Sequence, residues 1–182
     1  MLDKRTTARY FIVAVVVVMA TWIIHEFAHW LTSRFFGYDA IMTLNGTFYE
    51  SYEKPTIEHS TIVSAAGPLI TILQGAIIFV FLKLKSWNKY LFLGLFVAFY
   101  MRFLAGIINI IKLNDEARIS EYLEIGTFTL PIVVSGLLFS MVFVISKKYQ
   151  LSRKFLGITT LIVMFLSSVL ILMDQFFHFR LL

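Results

Sequence analysis

Residues 10–30 read YFIVAVVVVMATWIIHEFAHW, an apolar run in which the polar cluster is the pentad His25-Glu26-Phe27-Ala28-His29. On a helix, His25 and His29 lie four residues apart on one face, so two imidazole nitrogens could bind one Zn²⁺ ion. Glu26 lies beside them, where a general base is needed. A charged side chain at membrane depth costs roughly 2.5–3.5 kcal/mol. The pentad therefore indicates a functional site.

Apolar sequence continues through most of the chain, which has 182 residues, 59% hydrophobic and 15% charged. This composition excludes an ordinary soluble domain. Five stretches approach the roughly 17–25 residues that cross the hydrocarbon core: Tyr10–Leu31, Thr61–Leu82, Tyr90–Ile111, Phe128–Ile145 and Phe155–Met173. We predict an all-α polytopic membrane protein, one domain over residues 1–182. Its core covers residues 10–120, and two additional transmembrane helices lie within 128–173.

Loop charges predict the orientation in the membrane. The net charge is +5, and basic residues cluster before the first span, after the second and after the fourth. The other two loops, 34–60 with Glu53 and 112–127, are net acidic. The positive-inside rule then places the N-terminus in the cytoplasm and the pentad nearer the outer face. We expect a prokaryotic cytoplasmic membrane, and the lipid bilayer accounts for the positive charge without nucleic acid. The chain has no cysteine, which excludes thiolate ligands.

The loop between the first two spans carries a hairpin signal. Asn45-Gly46 lies between the β-prone stretches 41–44 and 47–49. This dipeptide favours a type I′ turn, which needs positive φ at two residues. We predict a two-stranded hairpin at the membrane surface, either a structural lid or an edge that pairs with an extended substrate peptide. Its candidate substrate-contacting residues are Thr43, Leu44, Asn45, Gly46 and Thr47.

The second and third spans also carry polar faces. Thr71 and Gln74 follow the small-residue stretch 64–68 in span two, while Arg102 and Asn109 share a face of span three. Small residues allow close helix approach in lipid. We therefore predict a three-helix catalytic core formed by spans one to three. Spans four and five are nearly pure apolar and are expected to support it.

A catalytic zinc site needs a third protein ligand. It must lie at the depth of the histidine pair, near an outer helix end. Asp115 and Glu116 follow span three, and His59 precedes span two. Asp174 and His178, after span five, are outside candidates.

The order of three motifs resembles the site-2 protease family of intramembrane zinc metalloproteases. These motifs are HEFAH at 25–29, Ala66-Gly67-Pro68 opening the next helix, and the stretch from Asn109 to Asp115 at the end of a third. The resemblance covers about residues 21–120. Thr71 stands where that family has an asparagine on its second helix, and Gln74 is one turn further on.

That resemblance implies one Zn²⁺ per chain, held by His25, His29 and Asp115, with Glu116 as the alternative third ligand. It implies Glu26 as general base, and it matches Arg118 to the arginine that follows the family's aspartate. Residues that could stabilise the oxyanion or position substrate are Arg102, Asn109, Gln74 and Arg118.

The expected function is hydrolysis of peptide bonds in or near transmembrane segments of membrane-protein substrates. The alternative is a non-catalytic, protease-like membrane protein that binds or chaperones partners. Glu26 favours the enzyme, because a binding protein does not need a buried base. The sequence makes no prediction of substrate identity or oligomeric state.

Overall fold

Residues 3–50 and 54–182 are described by a computed structural model, so Glu53 of the acidic loop lies outside the described residues. Within these ranges the chain forms six helices and one two-stranded hairpin between the first two helices. The elements are α1 (Ala8–Phe35), β1 (Ala40–Met42), β2 (Thr47–Tyr49), α2 (Ile57–Leu84), α3 (Lys89–Ile108), α4 (Asp115–Tyr122), α5 (Thr129–Lys148) and α6 (Arg153–Phe177). The predicted fold class is confirmed.

Five of the helices, α1, α2, α3, α5 and α6, are long and apolar enough to cross a membrane. Helices α1 and α2 have 28 residues each. At 1.5 Å per residue each is about 42 Å long. Both therefore extend beyond a hydrocarbon core of about 30 Å. Helix α3 ends at Ile108, before the predicted boundary at Ile111, and the short α4 follows it outside the predicted spans.

Polar residues mark where four of the long helices begin. Thr7, Thr56, Asn88 and Ser152 are the N-caps of α1, α2, α3 and α6, and each side chain accepts a hydrogen bond from a backbone N–H of the first turn. These N–H groups have no partner within the helix. Each cap thus gives a partner to at least one of the free N–H groups at its helix start.

The basic loops meet at one end of the bundle. The Lys4 ammonium donates to the carbonyl of Tyr149 at 2.6 Å, and the Lys148 ammonium donates to that of Lys83 at 2.6 Å. The hairpin, α4 and the residues after α6 lie at the opposite end, as the alternating crossings require. Which end faces the cytoplasm stays a prediction from loop charge.

A cluster of aromatic rings packs at the basic end. The ring of Tyr10 lies 5.8 Å from that of Phe155, joining the starts of α1 and α6. Trp87 packs against Phe92 and Tyr149, with ring centroids 5.6 and 5.1 Å apart. The histidine pair lies further along α1, toward the hairpin end.

The predicted turn of the hairpin is wrong by one residue. Ala40 pairs with Tyr49 and Met42 with Thr47, in antiparallel register. The same register places Thr43 opposite Gly46, and the N–H of Thr43 donates to the Gly46 carbonyl at 2.8 Å. The turn residues are therefore 44 and 45.

Contacts outside the hairpin explain the shifted turn. Neither Asn45 nor Gly46 has a positive φ, so the type I′ turn does not form. The buried Leu44 donates its N–H to the Asp174 carboxylate at 3.0 Å, and Asn45 accepts from the indole N–H of Trp22 at 3.0 Å. These bonds to α6 and α1 hold the tip in another conformation than the local dipeptide favours.

Candidate metal centre

The histidine pair and Asp115 converge at the hairpin end of the bundle. His25 and His29 lie one turn apart on α1 and are 1% and 6% exposed. Their Nε2 atoms are 3.1 Å apart. The Asp115 Oδ2 atom, from the first residue of α4, lies 3.3 Å from the His25 Nε2 and 3.4 Å from that of His29.

The spacing of these three donor atoms fits a tetrahedral metal ion. Zn–N and Zn–O bonds of about 2.0–2.1 Å at tetrahedral angles place neighbouring donors about 3.3–3.4 Å apart. The observed separations of 3.1, 3.3 and 3.4 Å lie at or near this range. Three protein donors also leave a fourth position for water or substrate, as catalytic zinc sites do.

Hydrogen bonds behind the rings turn both Nε2 lone pairs toward this point. The Val63 carbonyl can only accept, so His29 donates its Nδ1–H to it, at 2.7 Å. The Thr71 hydroxyl donates to the Gly67 carbonyl at 3.0 Å and therefore accepts from the Nδ1–H of His25, also at 3.0 Å. Such outer partners fix the tautomer of metal-binding histidines. A neutral ring then presents its bare Nε2 to the centre.

Asp115 is held as a carboxylate. Arg118 donates to its Oδ1 at 2.8 Å, and Arg102 donates to its Oδ2 at 3.3 Å. The donor set of two imidazoles and one carboxylate fits Zn²⁺.

One face of α2 lets the histidines sit this way. Val63, Gly67 and Thr71 follow one another at intervals of four residues. A Cβ atom built on Gly67 would lie less than 3.0 Å from ring atoms of both His25 and His29. Sequence reasoning noted Gly67 and Thr71 but missed their contacts with the rings. Their helical spacing was the available signal.

Glu26 shares a cavity with the two histidines. The cavity has a volume of about 390 Å³ and is bordered by α1, α2, α3, α4, α6 and the hairpin. Glu26 is 7% exposed. Residues 45–49 of the hairpin form one wall, and residues 112–115 with Arg118 form another. Helix α6, expected only to support the core, contributes Ile171 and Gln175 to the lining.

Glu116 shares Arg102 with Asp115 but is not one of the three donors of the candidate metal cluster. Its Oε1 accepts from the Arg102 guanidinium at 3.1 Å, and its side chain is buried. Arg102 also lies against the centre, with its Nη2 3.3 Å from the His25 Nε2. Arg102 therefore joins the metal-site carboxylate to a buried second carboxylate.

The other predicted donors occupy different positions. Arg102 and Arg118 line the cavity. Asn109 is the C-cap of α3, and its Oδ1 accepts from the Asn114 N–H at 2.6 Å. Gln74 lies deeper on α2, and its amide nitrogen is 3.5 Å from the hydroxyl of Thr21. Neither Asn109 nor Gln74 lies among the described residues that line the cavity.

The remaining ligand candidates are engaged elsewhere. His59 stacks on Phe36 with ring centroids 4.1 Å apart, and its Nδ1 is 2.8 Å from the Tyr38 hydroxyl. Asp174 binds the hairpin tip, and the exposed His178 caps α6. In the described ranges, the candidate metal cluster is His25, His29 and Asp115.

Comparison with known proteins gives no family assignment. No family model, curated protein or solved structure matches the chain.

Proposed function

We propose that this chain is an intramembrane zinc metalloprotease. One observation carries the proposal: three donor atoms converge at distances suited to zinc, beside Glu26, in a cavity at one end of a membrane-spanning bundle. A buried carboxylate and two buried imidazoles are costly at this depth, which favours a functional role.

A Zn²⁺ ion held by His25, His29 and Asp115 would polarise the scissile carbonyl and acidify water. Glu26 takes the proton from the attacking water and returns it to the leaving amine as the C–N bond breaks. Arg102 and Arg118 both donate to the Asp115 carboxylate and thereby hold it in place. Their guanidinium groups also line the cavity, where they can stabilise negative charge on the oxyanion.

The hairpin offers one strand edge to a substrate. The outer edge of β1 is occupied at Met42, which exchanges backbone hydrogen bonds with Leu181 and Leu182. Strand β2 borders the cavity. An unwound segment of a transmembrane or juxtamembrane substrate would add to the β2 edge and bring a peptide bond near Glu26.

The decisive experiment compares the wild type with Glu26→Gln in detergent or nanodiscs. We expect about one zinc per chain in both proteins, and cleavage of a labelled single-span substrate that falls about 10²–10⁴-fold in the variant. Asp115→Asn should lose zinc, whereas Glu116→Gln should keep it.

Two results would contradict the enzyme. Absence of zinc from the wild type would contradict the metal centre. Equal cleavage by the wild type and Glu26→Gln would contradict the role of Glu26 as general base. A zinc-loaded wild type that binds membrane-protein segments without cutting them would support the non-catalytic alternative.

A further inference from the structure

A buried carboxylate near the end of α6 holds the hairpin tip. Asp174 is 7% exposed. Its Oδ2 accepts from the Thr43 hydroxyl at 3.0 Å, and its Oδ1 accepts from the Leu44 N–H at 3.0 Å. Both oxygens are thus engaged by the hairpin rather than by the metal centre.

The position of Asp174 within α6 is unfavourable for the helix alone. It lies four residues before the C-cap His178, near the helix end where the macrodipole disfavours negative charge. A buried carboxylate also loses its hydration and needs donors to replace it. The hairpin supplies both donors. Its hydrogen bonds therefore offset the lost hydration of the carboxylate and its unfavourable position in the helix dipole.

A second attachment follows a few residues later. His178 adopts a left-handed conformation with φ 46°, and the chain then reaches the edge of β1. The Met42 N–H donates to the Leu182 carbonyl at 3.0 Å, and the Leu181 N–H donates to the Met42 carbonyl at 2.8 Å. We call Asp174, Leu181 and Leu182 together the α6 clasp.

The other side of the hairpin is hydrogen-bonded to α1, the helix that carries the histidine pair. The Thr47 hydroxyl donates to the backbone carbonyl of Glu26 at 3.3 Å. The Trp22 indole, one turn earlier on α1, donates to Asn45 at 3.0 Å. The hairpin therefore lies between α1 and the α6 clasp, and β2 faces the cavity.

We propose that Asp174 is a positioning residue that fixes the β2 edge relative to the metal centre, so that α6 determines how substrate binds. This inference rests on the proposed protease function. It gives α6 a role in substrate binding, although α6 supplies no metal ligand among the described residues.

The test uses Asp174→Asn in the full-length protein, with Thr43→Val as a second variant. The amide is neutral, so both hydrogen bonds from the hairpin lose the ionised acceptor that makes them strong. Thr43→Val removes the hydrogen bond to Asp174 from the hairpin side, together with the one from the same hydroxyl to the Gly46 carbonyl at 3.2 Å, without altering α6. Glu121→Gln is the matched acid-to-amide control, because the exposed Glu121 of α4 accepts from the Thr127 hydroxyl and contacts neither the hairpin nor the α6 clasp through a hydrogen bond.

We expect hydrogen exchange of the amides at 44–49 to accelerate about tenfold or more in Asp174→Asn, as the loss of a hydrogen bond to a charged group allows. Zinc content should equal that of the wild type. For a labelled single-span substrate, KM should rise while kcat stays within about twofold, the pattern of weakened ground-state binding. Thr43→Val should shift both readouts in the same direction, and Glu121→Gln should shift neither.

Unchanged hydrogen exchange of the amides at 44–49 in both Asp174→Asn and Thr43→Val would contradict the proposed role of Asp174. A parallel fall of zinc content and kcat with constant KM would show a merely structural role and also overturn it. Failure of the wild type to cleave, with zinc bound, would instead contradict the proposed function. The exchange measurement would then still decide whether Asp174 fixes the hairpin.

Discussion

Val63, Gly67 and Thr71 perform three different tasks on one face of α2. The first supplies a carbonyl to His29, the second leaves space for both rings, and the third accepts from His25. These residues orient the ligands but bind no metal themselves. Outer-shell partners of this kind set the tautomer and strengthen the ligand as a base.

At the residue scale, replacing Thr71 with valine keeps the side-chain shape but removes the acceptor for His25. We expect zinc affinity to fall about 10–100-fold, because the Nδ1–H of His25 loses its partner. Chelator competition on the purified protein measures the change. Thr160→Val is the control, since that hydroxyl donates only to a backbone carbonyl within α6. Equal zinc affinity in wild type and Thr71→Val would refute the role.

At the scale of elements, the metal centre depends on how closely α2 approaches α1. Gly67 lies against both imidazole rings, and no other residue type would leave them in place. Pro68 follows it and cannot donate to the Ser64 carbonyl one turn earlier. In lipid, such small residues permit close helix packing.

Replacing Gly67 with alanine should remove zinc from the protein while the helices persist. Alanine is favoured over glycine within a helix by up to about 1 kcal/mol, so lower helix propensity cannot explain the loss. Zinc content and circular dichroism measure the two quantities. Gly136→Ala on α5 is the control, because a Cβ there meets no atom within 4 Å. A fully zinc-loaded Gly67→Ala protein would contradict the expected steric conflict.

At the scale of the whole molecule, the bundle has two chemically different ends. Lysine side chains bind backbone carbonyls at or near helix ends at one end of the bundle, as Lys4 and Lys148 do. The other end holds the cavity, the hairpin and α4. Loop charge predicts that the lysine-rich end faces the cytoplasm.

Cysteine labelling tests this orientation cleanly, because the chain has no cysteine of its own. Lys54 and Ser86 are exposed and lie in loops at opposite ends of the bundle. In intact cells, a membrane-impermeant maleimide should label Lys54→Cys and should label Ser86→Cys only after lysis. The reverse pattern would place the candidate metal centre at the cytoplasmic face.

The sequence alone determined the features that depend on patterns among neighbouring residues. Apolar length predicted the five spans, and the four-residue spacing of His25 and His29 placed both rings on one helix face. Both follow from helix geometry and from the cost of polar groups in lipid, which depend little on distant residues.

The tertiary structure decided which neighbouring groups meet. Asp115 and Glu116 are adjacent acids that point about 100° apart on α4. Only packing directs the first to the histidines and the second to Arg102. Likewise Asn45-Gly46 favours one turn locally, yet bonds to Trp22 and Asp174 impose another. Contacts between residues distant in sequence outweigh local preference here, because buried polar groups must find partners wherever the helices place them.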